Sequence, residues 1–498
     1  MNKVKIALLR TGVPGLDEVL GGGLPEFSLN LIAGLPGCGK TTLAHQIMFA
    51  LATPERPALY FTVLGEPPLK MLRYQQQFEF FDGEAINKSV RFISLGDGAV
   101  AGDLADALAR IVADVETYGP ALIFVDSFRS LTLAAGSSAH ASDALPEFIQ
   151  RLGVLLTSWQ ATTFLIGEYF NETDVNPVFS VADGLIWLRQ SVQRNSMVRK
   201  LEIMKMRGQA TLPGLHTFRI GPTGVEVFPP SGAYLPDTLR RTRVRAKLPI
   251  VRMGMGTPLL DEMMGGGLPR GYSLLVVGPS GSGKSILAMA FLAEGVRVGE
   301  TGVLASFEQP TPSRIQGLDE MRETGCIGIV DTRAPDLSID EIVRLIISEV
   351  NRLAATRVVI DSLSGFELSL APTFRDDFRE SMSRLVTALA ATGVTVLMTS
   401  ELEDRYIDLR FSPYGTAFLT DAIIVNRYIE VDGRLRRMMA VVKVRGSAHS
   451  DELRLYTIDE SGIRIGAVLA GHEGLLGGSP TIKVAGDQLV ALDGADDG

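Results

Sequence analysis

A glycine-rich signature occurs twice in this chain at a fixed separation, and that separation dictates its architecture. GLPGCGKTT (Gly34 to Thr42) and GPSGSGKS (Gly278 to Ser285) each follow an apolar run, and each is preceded by an LDE stretch leading into GGGLP. Asp17 and Asp261, Gly21 and Gly265, Leu24 and Leu268, and Lys40 and Lys284 all keep one offset, 284 − 40 = 244 residues. A repeat of this length with no insertion between its landmarks implies one fold made twice. The chain has 498 residues, enough for two domains that each bury a sizeable core.

The order of segments is the same in both halves. In the first, an apolar run Leu29 to Ala33 precedes the glycine loop, and helical periodicity starts at Thr41. Further strands are expected at Ala58 to Val63, Ala121 to Ser127 and Thr162 to Glu168, with an amphipathic helix over Asp103 to Glu116. The second half repeats this with YSLLVVG, GVLASFE, a helix from Ile339 to Leu353, RVVIDS and Val394 to Glu401. Strands alternating with helices predict an α/β fold in which each half is a mostly parallel sheet flanked by helices. Each half closes on a β-rich edge, LEIMKMRG before HTFRI and MAVVKVRG before ELRLYTI. The expected domains are 1–245 and 246–479, divided in a proline-bearing basic stretch, with a small, acidic, flexible tail over 480–498.

Composition narrows the function classes. Hydrophobic residues make up 46% and charged residues 21%, the balance of a soluble globular protein. A net charge of −9 argues against nucleic acid as a standing partner. Two cysteines, Cys38 and Cys326, build neither a disulfide framework nor a four-cysteine zinc site. The apolar run before Arg10 is too short for a signal peptide, and no run reaches membrane-span length, so a cytoplasmic protein is expected.

The chemistry follows from the loops. Glycines let successive backbone N–H groups face a phosphate at the positive end of the next helix. The expected nucleotide contacts are Gly37, Cys38, Gly39, Lys40, Thr41 and Thr42, and in the second half Gly281, Ser282, Gly283, Lys284, Ser285 and Ile286. Lys40 and Lys284 are placed to reach the terminal phosphates. The hydroxyls of Thr41 and Ser285 suit magnesium, with Asp126 and Asp361 at strand ends holding the ion through water. A group orienting the attacking water is sought after the second strand: the second half offers Glu308 beside Gln309, the first only Leu64-Gly65 and then Glu66. Lys205/Arg207 and Lys443/Arg445 alternate along strand-like runs, so each pair is expected to project to one face and neutralise phosphate charge from a neighbouring subunit.

With these motifs placed, the chain resembles the KaiC family of tandem RecA-like ATPases over roughly residues 8 to 478, with TGVPGLDEVLGGGLP and FEQP as its specific stretches. The resemblance implies two tandem RecA-like P-loop NTPase domains, ATP and Mg2+ as cofactors, and a homo-hexamer with ATP between subunits. It implies contacts across the interface from Lys205, Met206, Arg207, Lys443, Val444, Arg445, Ser447 and His449, and signalling proteins as partners. There are departures. The first half has RGQATL where the second has RGSAHS. Aligned on Thr420-Asp421, the positions of the family's autophosphorylation acceptors are Ala417 and Phe418, which cannot take phosphate; Ser412, Thr416 and Thr420 are the nearby hydroxyls. A serine/threonine autokinase and a RecA-like DNA-dependent ATPase stand as alternatives to an ATPase whose first site is mainly structural and whose second is hydrolytic.

Overall fold

The computed structural model describes residues 6–63, 68–95, 104–129, 149–155, 158–170, 177–193, 196–230, 251–307, 318–331, 337–375, 378–402, 419–431, 433–468, 472–473 and 481–482. The chain divides into two compact units, Met1–Ala233 and Tyr234–Gly498. The boundary expected near residue 245 lies outside the described residues.

The first unit opens on a short antiparallel pair, β1 (Leu8–Leu9) with β2 (Leu24–Pro25). Nine strands follow: β3 (Leu29–Gly34), β4 (Ala58–Thr62), β5 (Val90–Ser94), β6 (Leu122–Asp126), β7 (Thr162–Glu168), β8 (Gly184–Gln193), β9 (Ser196–Met206), β10 (Leu215–Gly221) and β11 (Gly224–Phe228). They form one sheet in the order β11-β10-β9-β8-β3-β7-β6-β4-β5. From β8 to β5 neighbours run parallel, and β8 to β11 form an antiparallel meander.

The second unit repeats this strand for strand. β12 (Arg252–Met253) pairs with β13 (Leu268–Pro269), and the sheet is built from β14 (Ser273–Gly278), β15 (Gly302–Ser306), β16 (Ile327–Asp331), β17 (Arg357–Asp361), β18 (Thr395–Glu401), β19 (Ala422–Val431), β20 (Arg434–Val444), β21 (Arg454–Asp459) and β22 (Gly462–Val468). Its order, β16-β15-β17-β18-β14-β19-β20-β21-β22, is that of the first sheet read from the other edge. A last pair, β23 (His472–Glu473) with β24 (Thr481–Ile482), places two residues of the expected tail in regular structure.

Both central strands are buried on both faces, as parallel strands sandwiched by helices must be. Leu29, Leu31 and Ala33 enter one core while Ile32 enters the other; Leu275 and Val277 are likewise opposed to Leu274 and Val276. The helix Ile339–Leu353 is amphipathic as expected and begins with a Ser338–Glu341 capping box, which satisfies two otherwise orphaned backbone donors. The edge strands β5 (VRFIS) and β16 (IGIVD) are not marked by the sequence pattern. Each is short, and an arginine in one and a glycine in the other mask the apolar pattern.

The LDE-GGGLP stretch is structural. Asp17 accepts from Thr11 N (2.8 Å) and Oγ1 (2.7 Å), and Asp261 accepts from Met255 N (2.8 Å), so each aspartate ties a helix to the strand segment before it. At Gly21, φ is 81° and a Cβ would lie 2.2 Å from the Ala210 carbonyl oxygen, which admits only glycine. What secures this turn differs between the units. In the first, Gln209 Nε2 donates to the carbonyls of Leu20 (2.5 Å) and Gly23 (2.8 Å). In the second, Arg252 donates to the equivalent carbonyls of Met264 (3.1 Å) and Gly267 (2.7 Å) and also to Ser447 Oγ. The contrast between RGQATL and RGSAHS therefore has a packing role: one amide does directly what an arginine anchored by a serine does in the other unit. Gln209→Ala leaves two carbonyls without these donors and should lower stability by about 1–3 kcal/mol, read as a drop in the denaturant midpoint.

His45 lies on the helix after the first loop and is fully buried, its ring 4.6 Å from that of Tyr60. Burial lowers its pKa to about 4 from the ordinary 6.5, against a smaller opposing pull from the Gln75 side chain. The folded state therefore keeps the imidazole neutral where the unfolded chain protonates it. The resulting stability is complete above pH 6.5 and is lost as pH falls from 6.5 toward 4, by about 3 kcal/mol in all. His45→Met, the residue at the equivalent Met289, should flatten that part of the pH–stability curve, measured by urea denaturation between pH 4 and 7.

Candidate nucleotide and metal sites

Each glycine loop joins the C-terminal end of the central strand to a helix, Lys40–Leu51 in the first unit and Lys284–Arg297 in the second. Gly39 and Gly283 precede these helices in the left-handed conformation, with φ of 104° and 86°. A Cβ at these positions would press to 2.6 Å on Ile220 and on Ile458 respectively, so the meander strands hold the loop closed from behind. Gly37 to Thr42 and Gly281 to Ile286 therefore form one loop and first helical turn in each unit, as the sequence implies. Lys40 Nζ donates to the Leu35 carbonyl (2.8 Å), and Lys284 Nζ to those of Gly278 (2.8 Å) and Pro279 (2.9 Å), so both ammonium groups are folded over their own loops. Cys38 is buried in the first loop, and burial pushes its thiol up against the attraction of Lys40.

Asp126 and Asp361 end β6 and β17. Thr41 Oγ1 donates to Asp126 Oδ2 at 2.8 Å, so the hydroxyl and carboxylate proposed for the metal are adjacent although 85 residues separate them. Tyr60 OH donates to the same oxygen at 2.7 Å. Burial raises the Asp126 pKa, opposed by the hydrogen bonds from Tyr60 and Thr41 and by the Lys40 charge. In the second unit Lys284, Ser285, Ile286, Asp361, Ser362 and Glu401 line a cavity of about 270 Å³. There Asp361 Oδ1 accepts from Thr399 Oγ1. No cluster of three or more His, Cys, Asp or Glu suited to a metal occurs among the described residues. One hydroxyl and one carboxylate per site fit a small hard cation that keeps its waters and takes its remaining ligands from phosphate oxygens.

Two further carboxylates stand beside the loops. Glu168 and Glu401 end the strands beside the central one, in register with Gly34 and Gly278. Glu401 lines the second cavity, and the Glu168 charge acts on Asp126. Both were visible as the last residue of matching strands, but only the sheet order brings them beside the loop.

The cation pairs lie elsewhere. β9 ends at Met206 and β20 at Val444, so each arginine stands one residue beyond its strand rather than within it. The two cations still converge. Lys205 Nζ donates to the carbonyls of Phe179 (3.2 Å) and Ser180 (3.0 Å), and Arg207 to the Ser180 carbonyl (3.1 Å) and Asp183 Oδ1 (3.0 Å). Lys443 Nζ donates to the Thr420 carbonyl (2.6 Å), and Arg445 to Asp421 Oδ1 (3.4 Å). Burial first, and then the adjacent arginine, lower the pKa of both lysines. Asp183 and Asp421 also accept from the first residue of the central strand, Leu29 N (3.0 Å) and Ser273 N (3.1 Å). The pairs thus sit at the N-terminal end of the parallel strands, and each unit's own loop sits at the C-terminal end. Five residue steps from Ser273 to Gly278 amount to about 17 Å. Ser447 and His449 follow at the same end, His449 exposed. Thr420 is buried there as well. Glu66, Glu308, Ser412, Thr416, Ala417 and Phe418 lie outside the described residues.

A mostly parallel sheet, a phosphate loop leaving its central strand, and a hydroxyl beside a strand-end aspartate define a P-loop ATPase domain, and the chain holds two in tandem. The family model for KaiC ATPases matches residues 9–232 and 253–469, and the chain belongs to that family. It is similar to the circadian clock oscillator protein KaiC of Rippkaea orientalis, 28% identical over 491 residues that cover 95% of this chain and 91% of the relative. Proteins of the same name from Picosynechococcus (27% identical, covering 97% and 94%) and Synechococcus elongatus (26%, covering 96% and 92%) are similar over the same extent. No helix among the described residues is long and apolar enough to cross a membrane.

Lys284→Ala removes the ammonium folded over the second loop while leaving the first loop intact. Full-length protein should then bind one nucleotide per chain where the parent binds two, counted by equilibrium dialysis.

Proposed function

We propose that the chain is a Mg-dependent ATPase that assembles as a nucleotide-bridged homo-hexamer, with ATP at the first site mainly holding the ring and turnover concentrated at the second. One observation carries the bridging: Lys205/Arg207 and Lys443/Arg445 stand a full strand length from their own loops. Cations so placed act on phosphate only when a neighbouring copy presents its loop to them. Ser447 and His449 follow at that same end of the sheet, whereas the side chains of Met206 and Val444 between the cations pack into the core.

The division of labour rests on sequence. Glu308 follows β15 with Gln309 beside it, whereas Leu64-Gly65 occupy those positions after β4, leaving Glu66 two residues beyond the equivalent of Glu308. A carboxylate that orients water contributes about 10²–10⁴-fold to rate. Its displacement leaves bound ATP as a bridge, which stabilises the assembly by mass action. Asp126 and Asp361 would hold the metal's waters, Lys40 and Lys284 would spread charge from the transferred phosphate, and the arginines from the next subunit would neutralise the remainder. Relatives named as circadian clock oscillator proteins suggest a signalling or timing-like role exercised through protein partners. The autokinase alternative is disfavoured by Ala417 and Phe418 and by the burial of Thr420. Acidic net charge disfavours a DNA motor.

Phosphate release measured on the full chain should fall by at least about 10²-fold in Glu308→Gln and be changed far less in Glu66→Gln; equal rates in Glu308→Gln and parent remove Glu308 from catalysis. Native mass spectrometry with saturating ATP should show hexamers in the parent and in Glu308→Gln, and smaller species in Arg207→Ala. A parent that stays monomeric overturns the bridging.

A further inference from the structure

The strand-end aspartates are each braced by a hydroxyl from a flanking strand, Asp126 from β4 and Asp361 from β18, the opposite flank. β6 lies between β4 and β7, and Thr62 and Ile166 pair with Asp126 from the two sides. On the β4 side Tyr60 stands two residues before Thr62, on the same face of the sheet, so its hydroxyl reaches up the strand to Asp126 Oδ2 at 2.7 Å. The ring is fixed by packing: 5.8 Å from Phe124 in a stacked arrangement, 5.3 Å from Phe92 and 4.6 Å from His45. On the β7 side the side chain of Ile166 has no polar hydrogen to donate. In the second unit both positions are reversed in character. Leu304, two residues before the Ser306 that pairs with Asp361, has no hydroxyl. Thr399, the counterpart of Ile166, supplies the donor to Asp361 Oδ1.

We propose that Tyr60 is a positioning residue of the first site: by holding one oxygen of Asp126 it sets how tightly that site takes the divalent cation that accompanies nucleotide, as Thr399 does for Asp361 from the other strand. The inference rests on the reading of both sites as Mg-nucleotide sites. Its physical basis is that a carboxylate near a metal rotates about its last bond unless a partner fixes it, and a fixed carboxylate keeps its free lone pairs aimed at the ion or its waters. In the first site Tyr60 and Thr41 share Oδ2, so when the Thr41 hydroxyl turns to a cation the tyrosine bond still holds the group. Tyr60 itself touches neither nucleotide nor metal.

Two full-length backgrounds separate the sites. Lys284→Ala confines nucleotide binding to the first and Lys40→Ala to the second. Fluorescent ADP is titrated at a series of Mg2+ concentrations and in excess chelator. In the Lys284→Ala background, Tyr60→Phe keeps the ring and its packing; the Mg2+ concentration for half-maximal enhancement of binding should rise about tenfold, the lower bound for loss of a group that orients a metal ligand. Affinity in chelator should stay within about twofold, a split that general loosening of the core would not give. In the Lys40→Ala background, Thr399→Val should shift the second site's Mg2+ half-point in the same direction, and Tyr60→Phe should leave it in place. Adding Ile166→Thr to Tyr60→Phe transfers the brace to the other strand and should recover part of the shift. The proposal is overturned if Tyr60→Phe moves the Mg2+ half-point less than about twofold, or if it weakens binding equally in chelator. A Lys284→Ala protein whose ADP binding does not respond to Mg2+ at all overturns the Mg-nucleotide reading of the first site, and the positioning role with it.

Discussion

Everything in each unit is hung on the central strand. β3 pairs with β7 and β8 along its length, and β14 with β18 and β19, so the loop at its C-terminal end is aimed by two ladders of backbone hydrogen bonds. At its N-terminal end Asp183 or Asp421 fixes the first residue and holds an arginine as well. One strand thus carries a phosphate-binding loop at one end and, through an aspartate, a cation at the other. The loop and the cations of one unit therefore stand at opposite ends of that strand, too far apart to act on one phosphate.

The repeat preserves this frame and varies the means of holding it. Gln209 secures the glycine turn in one unit, Arg252 with Ser447 in the other. Tyr60 braces one aspartate, Thr399 its counterpart. Such substitutions are coupled across the sheet: a donor gained on one strand releases the position facing it on another. Leu304 opposite Thr399, and Ile166 opposite Tyr60, fit a single requirement, that one oxygen of a half-buried carboxylate keep a donor. The two sites therefore differ in their surroundings while sharing a backbone.

The loops, the strand-end acids and the paired cations were legible because each is a local pattern: a glycine spacing, an apolar run ending in aspartate, an alternation of charge. Their duplication at one interval removed most of the ambiguity that a single copy would carry. The sheet order was not legible. β5 and β16 lie at the exposed edge, where half-burial blurs the apolar pattern that marks a strand. Glu168 and Glu401 were visible as strand ends, but their place beside the loop depends on β7 and β18 pairing with the central strands, across about 130 and 120 residues of chain.

The sequence by itself determined that this protein is a doubled P-loop ATPase, since the phosphate loop is built from contiguous backbone and its glycines report conformations that other residues reach only with strain. Tertiary structure alone decided which side chains hold Asp126 and Asp361, and that each cation pair faces away from its own loop. Those relations depend on register between strands distant in sequence, and register is set by the packing of whole faces rather than by any local run of residues.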